Sequence, residues 1–437
     1  MRPILVLEFN ELSPELLERF IASGDLPAFA RLRDRSSTYI TEAGEHGVAL
    51  NPWVQWVTVH TGVRANDHGI VQLGESHRLR LPTIADVVSA SGGSVWQCGS
   101  MNVQPIGPVT GAVLPDPWSI GRTPQPASLH SFFRFVSASV QEHTNDRTPL
   151  SKREAVDFVR FLLTHGLTAR TAGATVGQLV GERARRRGRW ARAELLDRFQ
   201  WDVFRHYHRK IRPTFATFFS NSTAHFQHLH WDDMERAPAH SAVLDGYRKM
   251  DALVASASRL VGDDATVVLC TALSQTANTA ADRAREGFYR PRDLHAFAEQ
   301  FGLRGVRDAA PVMAEQSHLF FTDASAAAEA AHALRAIRSN GDEVFHVEVS
   351  GAALFIGCQL FTRRPLAPDL DGVLYWTDAA REGTHHPDGV LWIGDGGSDD
   401  RDVRVPLESV ARMLLRVIGV DAPPSMAPAP LVREPAR

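Results

Sequence analysis

Short apolar runs that end in polar loops recur along this chain of 437 residues. The first run, Ile4–Leu7, reads as a buried strand, and the Ser13-Pro14 pair that follows it is typical of a helix start, with Ser as the N-cap. A strand, a loop and a helix in this order are the usual beginning of an α/β protein with a doubly wound sheet. Because binding sites in such sheets lie at the carboxyl ends of the strands, functional residues are expected in the loops after them.

The same reading along the chain predicts the other main elements and the domain limits. We expect strands at Ser94–Cys98, Thr214–Ser220 and Thr266–Thr271, and helices at Pro14–Ser23, Trp53–Thr61 and Val403–Val417. We expect four parts, namely the first part of the α/β core (1–104), a Pro-rich loop with a helical cap insertion (105–210), the rest of the core (211–420) and a disordered Pro/Ala tail (421–437).

Composition and charge exclude several classes of protein. A net charge of -3 gives no reason to expect nucleic acid or an anionic membrane as a partner, and no apolar run is long enough for membrane insertion. The three cysteines lie far apart without a CxxC pair, so we expect a reducing, cytoplasmic location. The chain has 19 histidines and 50 acidic residues, so any metal would be held by imidazole and carboxylate groups. Nothing in the sequence indicates an oligomeric state.

Five motifs in order resemble the alkaline phosphatase superfamily, in particular its type I phosphodiesterase and nucleotide pyrophosphatase branch. They are ILVLEFNELSPELL at the first strand, WVTVHTGVRANDHGI around the second helix, NSTAHFQHLHW after the third strand, TALSQ after the fourth, and GTHHPDGVL near the end. The resemblance spans residues 4 to about 395. It implies an alkaline-phosphatase-like fold, with a doubly wound central sheet, helices on both faces and a helical cap insertion.

The resemblance also implies a two-metal site, but most of the implied ligands are replaced in this chain. Asn10 and Asn221 stand where the family has metal-binding aspartates, and Thr271-Ala272 stands in place of an Asp-His pair. His225 and His385 match family histidines. The nucleophilic Thr or Ser corresponds to Pro52, or to Asn51 after a one-residue slip, and neither side chain can serve as that nucleophile.

One half of the implied site therefore remains, and the sequence leaves two interpretations of it open. Asn221, His225 and His385 hold one divalent metal, zinc or manganese, or the protein binds no metal. The candidate catalytic residues are Glu8, as a general base, and Asn51. The candidate substrate contacts are Asn10, Trp53, Gln55 and Thr271. Glu11 is interpreted as a helix N-terminal charge, and His228, His230 and His386 as surface or packing residues.

Three functional hypotheses follow. The first is an enzyme that hydrolyses or transfers a phosphate or sulfate ester, carried by an anionic small molecule or a glycan, by direct attack of water or an acceptor hydroxyl. The second is a catalytically inactive relative that keeps the pocket as a binding or scaffold protein. The third is a metal-free reaction built on Glu8 and the asparagines.

Overall fold

The computed structural model describes residues 1–145, 151–184, 192–236, 241–279, 285–379, 381–397 and 403–430. The chain divides into two compact units. The first unit is formed by Met1–Val136, Ser151–Ala277 and Gly383–Arg437, and the second by Ser137–Leu150 and Asn278–Glu382. The second unit therefore contains residues 278–382, half of the stretch 211–420 that the sequence predicts as the rest of the core.

The first unit is built on an α/β sheet of eight strands. In spatial order these are β18 (Val403–Pro406), β2 (Ser37–Glu42), β17 (Asp388–Ile393), β6 (Thr266–Cys270), β1 (Ile4–Phe9), β5 (Phe215–Ser220), β3 (Val95–Cys98) and β4 (Gly111–Leu114). All neighbouring pairs are parallel except those that involve β17, which runs antiparallel to β2 and β6. A small hairpin pairs β16 (Gly383–His386) with β7 (Ser274–Ala277).

Helices flank the sheet. The described helices of the first unit, together with α6, which continues into the second unit, are α1 (Pro14–Ala22), α2 (Pro27–Asp34), α3 (Pro52–Thr61), α4 (Ala65–His68), α5 (Ile84–Ala90), α6 (His130–Asn145), α7 (Lys152–Thr164), α8 (Ala169–Arg183), α9 (Arg192–Ile211), α10 (Ser222–His230), α11 (Asp233–Arg236), α12 (Ala242–Val261) and α15 (Val410–Ile418). Short 3-10 helices lie at Gly47–Leu50, Glu75–Arg78, Ala127–Leu129 and Leu407–Ser409.

The second unit is a separate α/β body. Its strands are β8 (Gly287–Pro291), β9 (Val306–Pro311), β10 (Gln316–Phe321), β11 (Arg338–Ser339), β12 (Asp342–Glu343), β13 (Phe345–Ser350), β14 (Ala353–Cys358) and β15 (Leu374–Asp378), and its helices include α13 (Leu294–Gln300) and α14 (Ala324–Ala336). Four of the strands form an antiparallel sheet in the order β13-β14-β10-β9. The buried residues Phe297, Leu319 and Leu334 lie in its core.

The central strands form where the sequence predicts them. All six residues of β1 and of β5 are buried, as expected for strands covered on both faces. The α/β fold class, with a mostly parallel central sheet flanked by helices, is confirmed. The stretch 130–211 is helical in its described parts, as expected, whereas residues 146–150 and 185–191 lie outside the described residues.

The prediction of one helix over Val403–Val417 is wrong in its first part. Val403–Pro406 is the edge strand β18, parallel to β2, and the helix begins only at Val410. Within β18 only Val405 is buried, and its two neighbours are exposed. This is expected of a strand with one covered face, because successive side chains point to opposite faces.

The predicted tail is partly packed. The Met426 side chain is buried and the Ala427 amide donates a hydrogen bond to the carbonyl of Gly62, while residues 431–437 lie outside the described residues. Among the described helices, none is both long and apolar enough to cross a membrane.

Candidate metal centre

Three potential metal ligands meet near the carboxyl ends of the central strands. Glu11 lies in the loop after β1, His228 on α10 and His385 on β16, all within the first unit. One carboxylate oxygen and one nitrogen from each ring lie within 4.8 Å of one another. Oε2 of Glu11 is 3.0 Å from Nε2 of His228 and 3.4 Å from Nε2 of His385.

These separations match the edges of a tetrahedral zinc site. Bonds of about 2.0–2.1 Å from zinc to nitrogen or oxygen place neighbouring ligand atoms about 3.3 Å apart in a tetrahedron. The two distances from Glu11 Oε2 lie on either side of that value. Glutamate with two histidines is also a ligand set of catalytic zinc sites, which leave the fourth position open.

Hydrogen bonds hold Glu11 on several sides. Its Oε1 accepts a hydrogen bond of 2.8 Å from the Asn10 amide, and its Oε2 accepts one from the Gln275 amide. The amide of Gln227 donates to the Glu11 backbone carbonyl at 2.7 Å. The backbone of Glu11 has a φ of 58°, in the left-handed region that few residues other than glycine adopt. Such strain is typical of functional sites.

The two histidines keep Glu11 ionised. Burial by itself raises the pKa of Glu11, but the positive charge and hydrogen bonds of His385 and His228 outweigh it and lower the pKa well below 4.5. The cluster therefore presents a carboxylate anion between two rings, as a divalent cation requires.

The orientation of His228 is set by its second ring nitrogen. Nδ1 lies 2.9 Å from the carbonyl oxygen of Gly383 and must carry a proton to donate to it, so Nε2 is the nitrogen directed at Glu11. Metal-binding histidines usually have such an outer partner.

Gly383 allows helix α10 to approach β16. A Cβ at this position would lie 2.6 Å from Oε1 of Gln275 and 2.7 Å from the carbonyl of Gln227, closer than any side chain permits. The absence of a side chain therefore lets the Gly383 carbonyl reach His228.

A second set of bonds joins α3 to β1 and orients Asn10. Nε1 of Trp56 donates to Oδ1 of Asn10 at 2.8 Å, and the Asn10 amide donates to Oδ1 of Asn221, also at 2.8 Å, besides Glu11. One helical turn further on, Nε2 of His60 lies 2.8 Å from Oε1 of Glu8.

The Trp56–Asn10 and His60–Glu8 contacts are spaced about equally far apart along helix α3 and along the β1 segment. Four residues of helix rise about 6 Å and two residues of strand about 6.6 Å, so Trp56 and His60 align with Asn10 and Glu8. The helix thereby holds the Asn10 amide in the orientation in which it donates to Glu11.

The structure brings some of the predicted residues together and separates others. His385 belongs to the cluster, with Asn10 and Asn221 directly behind it. His225 lies on α10 outside the three-residue cluster, with its ring near Phe226, and Asn51 is the half-buried N-cap of α3.

Four predicted residues are buried with contacts inside the fold. Glu8 and His60 form a pair in which both side chains are 1% exposed. Trp53 donates to the Val71 carbonyl and Gln55 to the Ala49 carbonyl. The hydroxyl of Thr271 accepts a hydrogen bond from the Val390 amide. Their assignment as catalytic or substrate-contacting residues stays a prediction.

Sequence reasoning missed Glu11 and His228 as candidate ligands. Glu11 adjoins Asn10 and is brought into the site by its left-handed backbone, which the sequence does not reveal. His228 follows Asn221, the N-cap of α10, by seven residues, about two helical turns, and this spacing places both on the same side of the helix. That spacing was the available signal.

Several solved structures are similar to this chain at low sequence identity. Phosphonoacetate hydrolase from Sinorhizobium meliloti 1021, in complex with phosphonoacetate, has a TM-score of 0.47 and 12% identity, covering 95% of this chain and 96% of that one. Murine ectonucleotide pyrophosphatase/phosphodiesterase 5 has a TM-score of 0.46 and 8% identity, covering 97% and 96%. A quadruple mutant of the alkaline phosphatase PafA has a TM-score of 0.49 and 11% identity, covering 99% and 98%.

No protein-family model matches the chain. No curated protein matches it either. Similarities of this size leave the chemistry of the site to be argued from its own residues.

Proposed function

We propose that Glu11, His228 and His385 bind one divalent cation, with zinc as the best fit, and that the chain hydrolyses or transfers a phosphate or sulfate ester there. The observation that carries the proposal is the convergence of one carboxylate and two imidazoles within 4.8 Å. We place the activity in the cytoplasm, in line with three cysteines that are all buried and unpaired.

The contacts around the cluster support a cation site over an incidental ion pair. Gly383 fixes the tautomer of His228, while Asn10 and Gln275 orient the carboxylate of Glu11. Outer partners of this kind make ligands precise in position and are typical of metal sites. When bound, the cation supplies a Lewis acid and a water of lowered pKa.

The protein's own residues then have distinct tasks. Glu11 offers the single negative charge of the ligand set, and the neutral rings of His228 and His385 add none, so half of a divalent cation's charge stays uncompensated for an anionic substrate. Asn51 and Pro52 stand at the start of α3, where the motif resemblance implies a nucleophilic hydroxyl. We therefore propose attack on the ester by water or by an acceptor hydroxyl.

The substrate class rests on the motif resemblance. A phosphate or sulfate ester, on a small molecule or a glycan, is anionic and complements a cation held by only one carboxylate. Manganese is the alternative ion, although two imidazoles favour zinc.

The test is ester hydrolysis by protein depleted of metal and then supplied with zinc or manganese. Substrates are p-nitrophenyl phosphate, bis-p-nitrophenyl phosphate and p-nitrophenyl sulfate. We expect turnover of at least one to return with metal and to be lost in His385→Ala and Glu11→Gln. The matched control is His346→Ala, because His346 also faces a carboxylate, that of Glu348 at 2.8 Å, on the exposed surface of the second unit.

A non-catalytic binding protein is the second candidate. It is favoured by the residues at the start of α3, since Asn51 and Pro52 offer no hydroxyl and Trp53 and Gln55 are buried. It predicts a protein that binds phosphate or sulfate esters without turning over any member of the panel, with or without added metal.

A further inference from the structure

A polar cavity lies in the first unit, and none of the three candidate ligands lines it. Its volume is about 430 Å³. The cavity is lined by His77, Leu79, Arg80, Ile106, Gly121 and Arg122. It thus combines two guanidinium groups and an imidazole with two aliphatic side chains.

Neither arginine has an acidic partner among the described residues. Arg122 donates one long hydrogen bond of 3.4 Å to the Ser76 carbonyl, and its Nε is buried without a partner. Arg80 donates only to the carbonyls of His77 and Leu79 in its own turn. By contrast, the neighbouring Arg78 is paired with Glu75. A buried guanidinium N–H without an acceptor is costly, so Arg122 is suited to an external anion, and the exposed Arg80 lines the same cavity.

His77 is oriented for the same purpose. Its Nδ1 lies 3.1 Å from the Gly74 carbonyl, which leaves Nε2 as the ring nitrogen that a ligand can meet. The turn that carries it is held by Asn102, whose Oδ1 accepts from the Gly74 amide and whose amide donates to the Gln72 carbonyl, both at 3.0 Å. The cavity wall is therefore organised before any ligand arrives.

We propose that this cavity binds a phosphate or sulfate group between Arg80 and Arg122, with His77 as a third contact. The planar fork of each guanidinium donates paired hydrogen bonds to tetrahedral oxyanions. Leu79 and Ile106 supply an apolar wall against which an organic group attached to the anion packs. Anion binding in this cavity does not require a cation at Glu11, so it can be tested independently of the proposed ester hydrolysis.

The test is a titration of the purified full chain at neutral pH with inorganic phosphate and with phenylphosphonate. Binding is followed by the NMR signals of the His77 ring, assigned with His77→Gln, and by calorimetry. We expect saturable shifts of the His77 signals, and an affinity about tenfold or more lower in Arg122→Gln and Arg80→Gln. Arg170→Gln, an equal charge change on the exposed surface of α8, controls for net charge and should bind as the native protein does.

The two probes distinguish the source of the anion. Equal affinities indicate a free inorganic ion, whereas tighter binding of phenylphosphonate that is reduced by Ile106→Ser indicates an organic phosphate; both support the site. The proposal is overturned if the His77 signals do not saturate. It is also overturned if Arg80→Gln and Arg122→Gln bind as tightly as Arg170→Gln.

Discussion

Oε2 of Glu11 and Nε2 of His228 lie 3.0 Å apart, and the other nitrogen of this ring faces the Gly383 carbonyl. The carbonyl requires a proton on Nδ1. Nε2 therefore either carries a second proton and forms an imidazolium–carboxylate pair, or is deprotonated with a cation between the two atoms. The proposed function requires the second state, and the first describes the protein without metal.

The stability of the metal-free protein should fall at acid pH because of Glu11. Its pKa in the folded chain is depressed, since the two histidines outweigh the effect of burial, whereas the unfolded chain titrates near 4.5. Its contribution to stability is thus present in full above about pH 4.5 and is lost as the pH falls through the lower folded pKa.

Urea unfolding of the native protein and of Glu11→Gln, at several pH values between about 3 and 7, measures this contribution. The free-energy difference between the two proteins should shrink as the pH falls. A difference that stays constant over this range would show that Glu11 has an ordinary pKa.

Asp197 should have the opposite effect on stability. Burial raises its pKa to about 6 even though Ser220 donates a hydrogen bond of 2.6 Å to it. The unfolded group titrates near 3.8, so the folded chain holds this proton more tightly and loses stability as the pH rises from about 4 through about 6. Asp197→Asn should therefore be stabilising by on the order of 3 kcal/mol above pH 6 and neutral below about pH 4, as measured by urea unfolding. A gain that is the same at both pH values would contradict this account.

Gly383→Ala should damage both the fold and the candidate metal centre. The added methyl group collides with Gln275 and with the Gln227 carbonyl, which costs about 1–3 kcal/mol and moves the acceptor of His228. Thermal unfolding and zinc titration measure the two effects. Gly173→Ala is the control, because it adds a methyl group in α8 with no atom within 4 Å and should stabilise the helix slightly. Unchanged zinc affinity in Gly383→Ala would show that the hydrogen bond between His228 and the Gly383 carbonyl is not needed for metal binding.

Trp56→Phe should weaken zinc binding without touching a ligand. It removes the donor to Oδ1 of Asn10, so the amide that orients Glu11 loses its anchor, and we expect an affinity about tenfold lower. Trp96→Phe is the matched control. Trp96, on strand β3, is equally buried, but its indole donates to the Phe204 carbonyl, so its loss should lower stability alone. Equal zinc affinities in the two variants would show that Asn10 needs no anchor.

The sequence predicts the sheet better than it predicts the site. Strands β1, β3, β5 and β6 are mostly apolar and buried throughout, and a short apolar run of this kind is the sequence pattern of a strand covered on both faces. The sequence predicts a helix over strand β18 because the four residues Val403–Pro406 are too few to show the period of a strand. The separate unit of residues 278–382 has no composition break that marks it.

At the candidate site, the loops were predicted but not the geometry within them. His385 was found from its motif, yet the approach of Glu11 depends on a single left-handed residue and that of His228 on a missing side chain at Gly383. Contacts of this kind are set by tertiary packing and leave no local pattern.

Zinc binding by Glu11, His228 and His385 is tested by anomalous X-ray scattering at the zinc edge from crystals soaked in zinc, for the native protein and for Glu11→Gln. We expect one strong peak in the native crystals, about 2 Å from Oε2 of Glu11 and from Nε2 of His228 and His385, and none there in the variant. Native crystals without a peak between these three side chains, or a peak that persists in Glu11→Gln, would contradict this expectation.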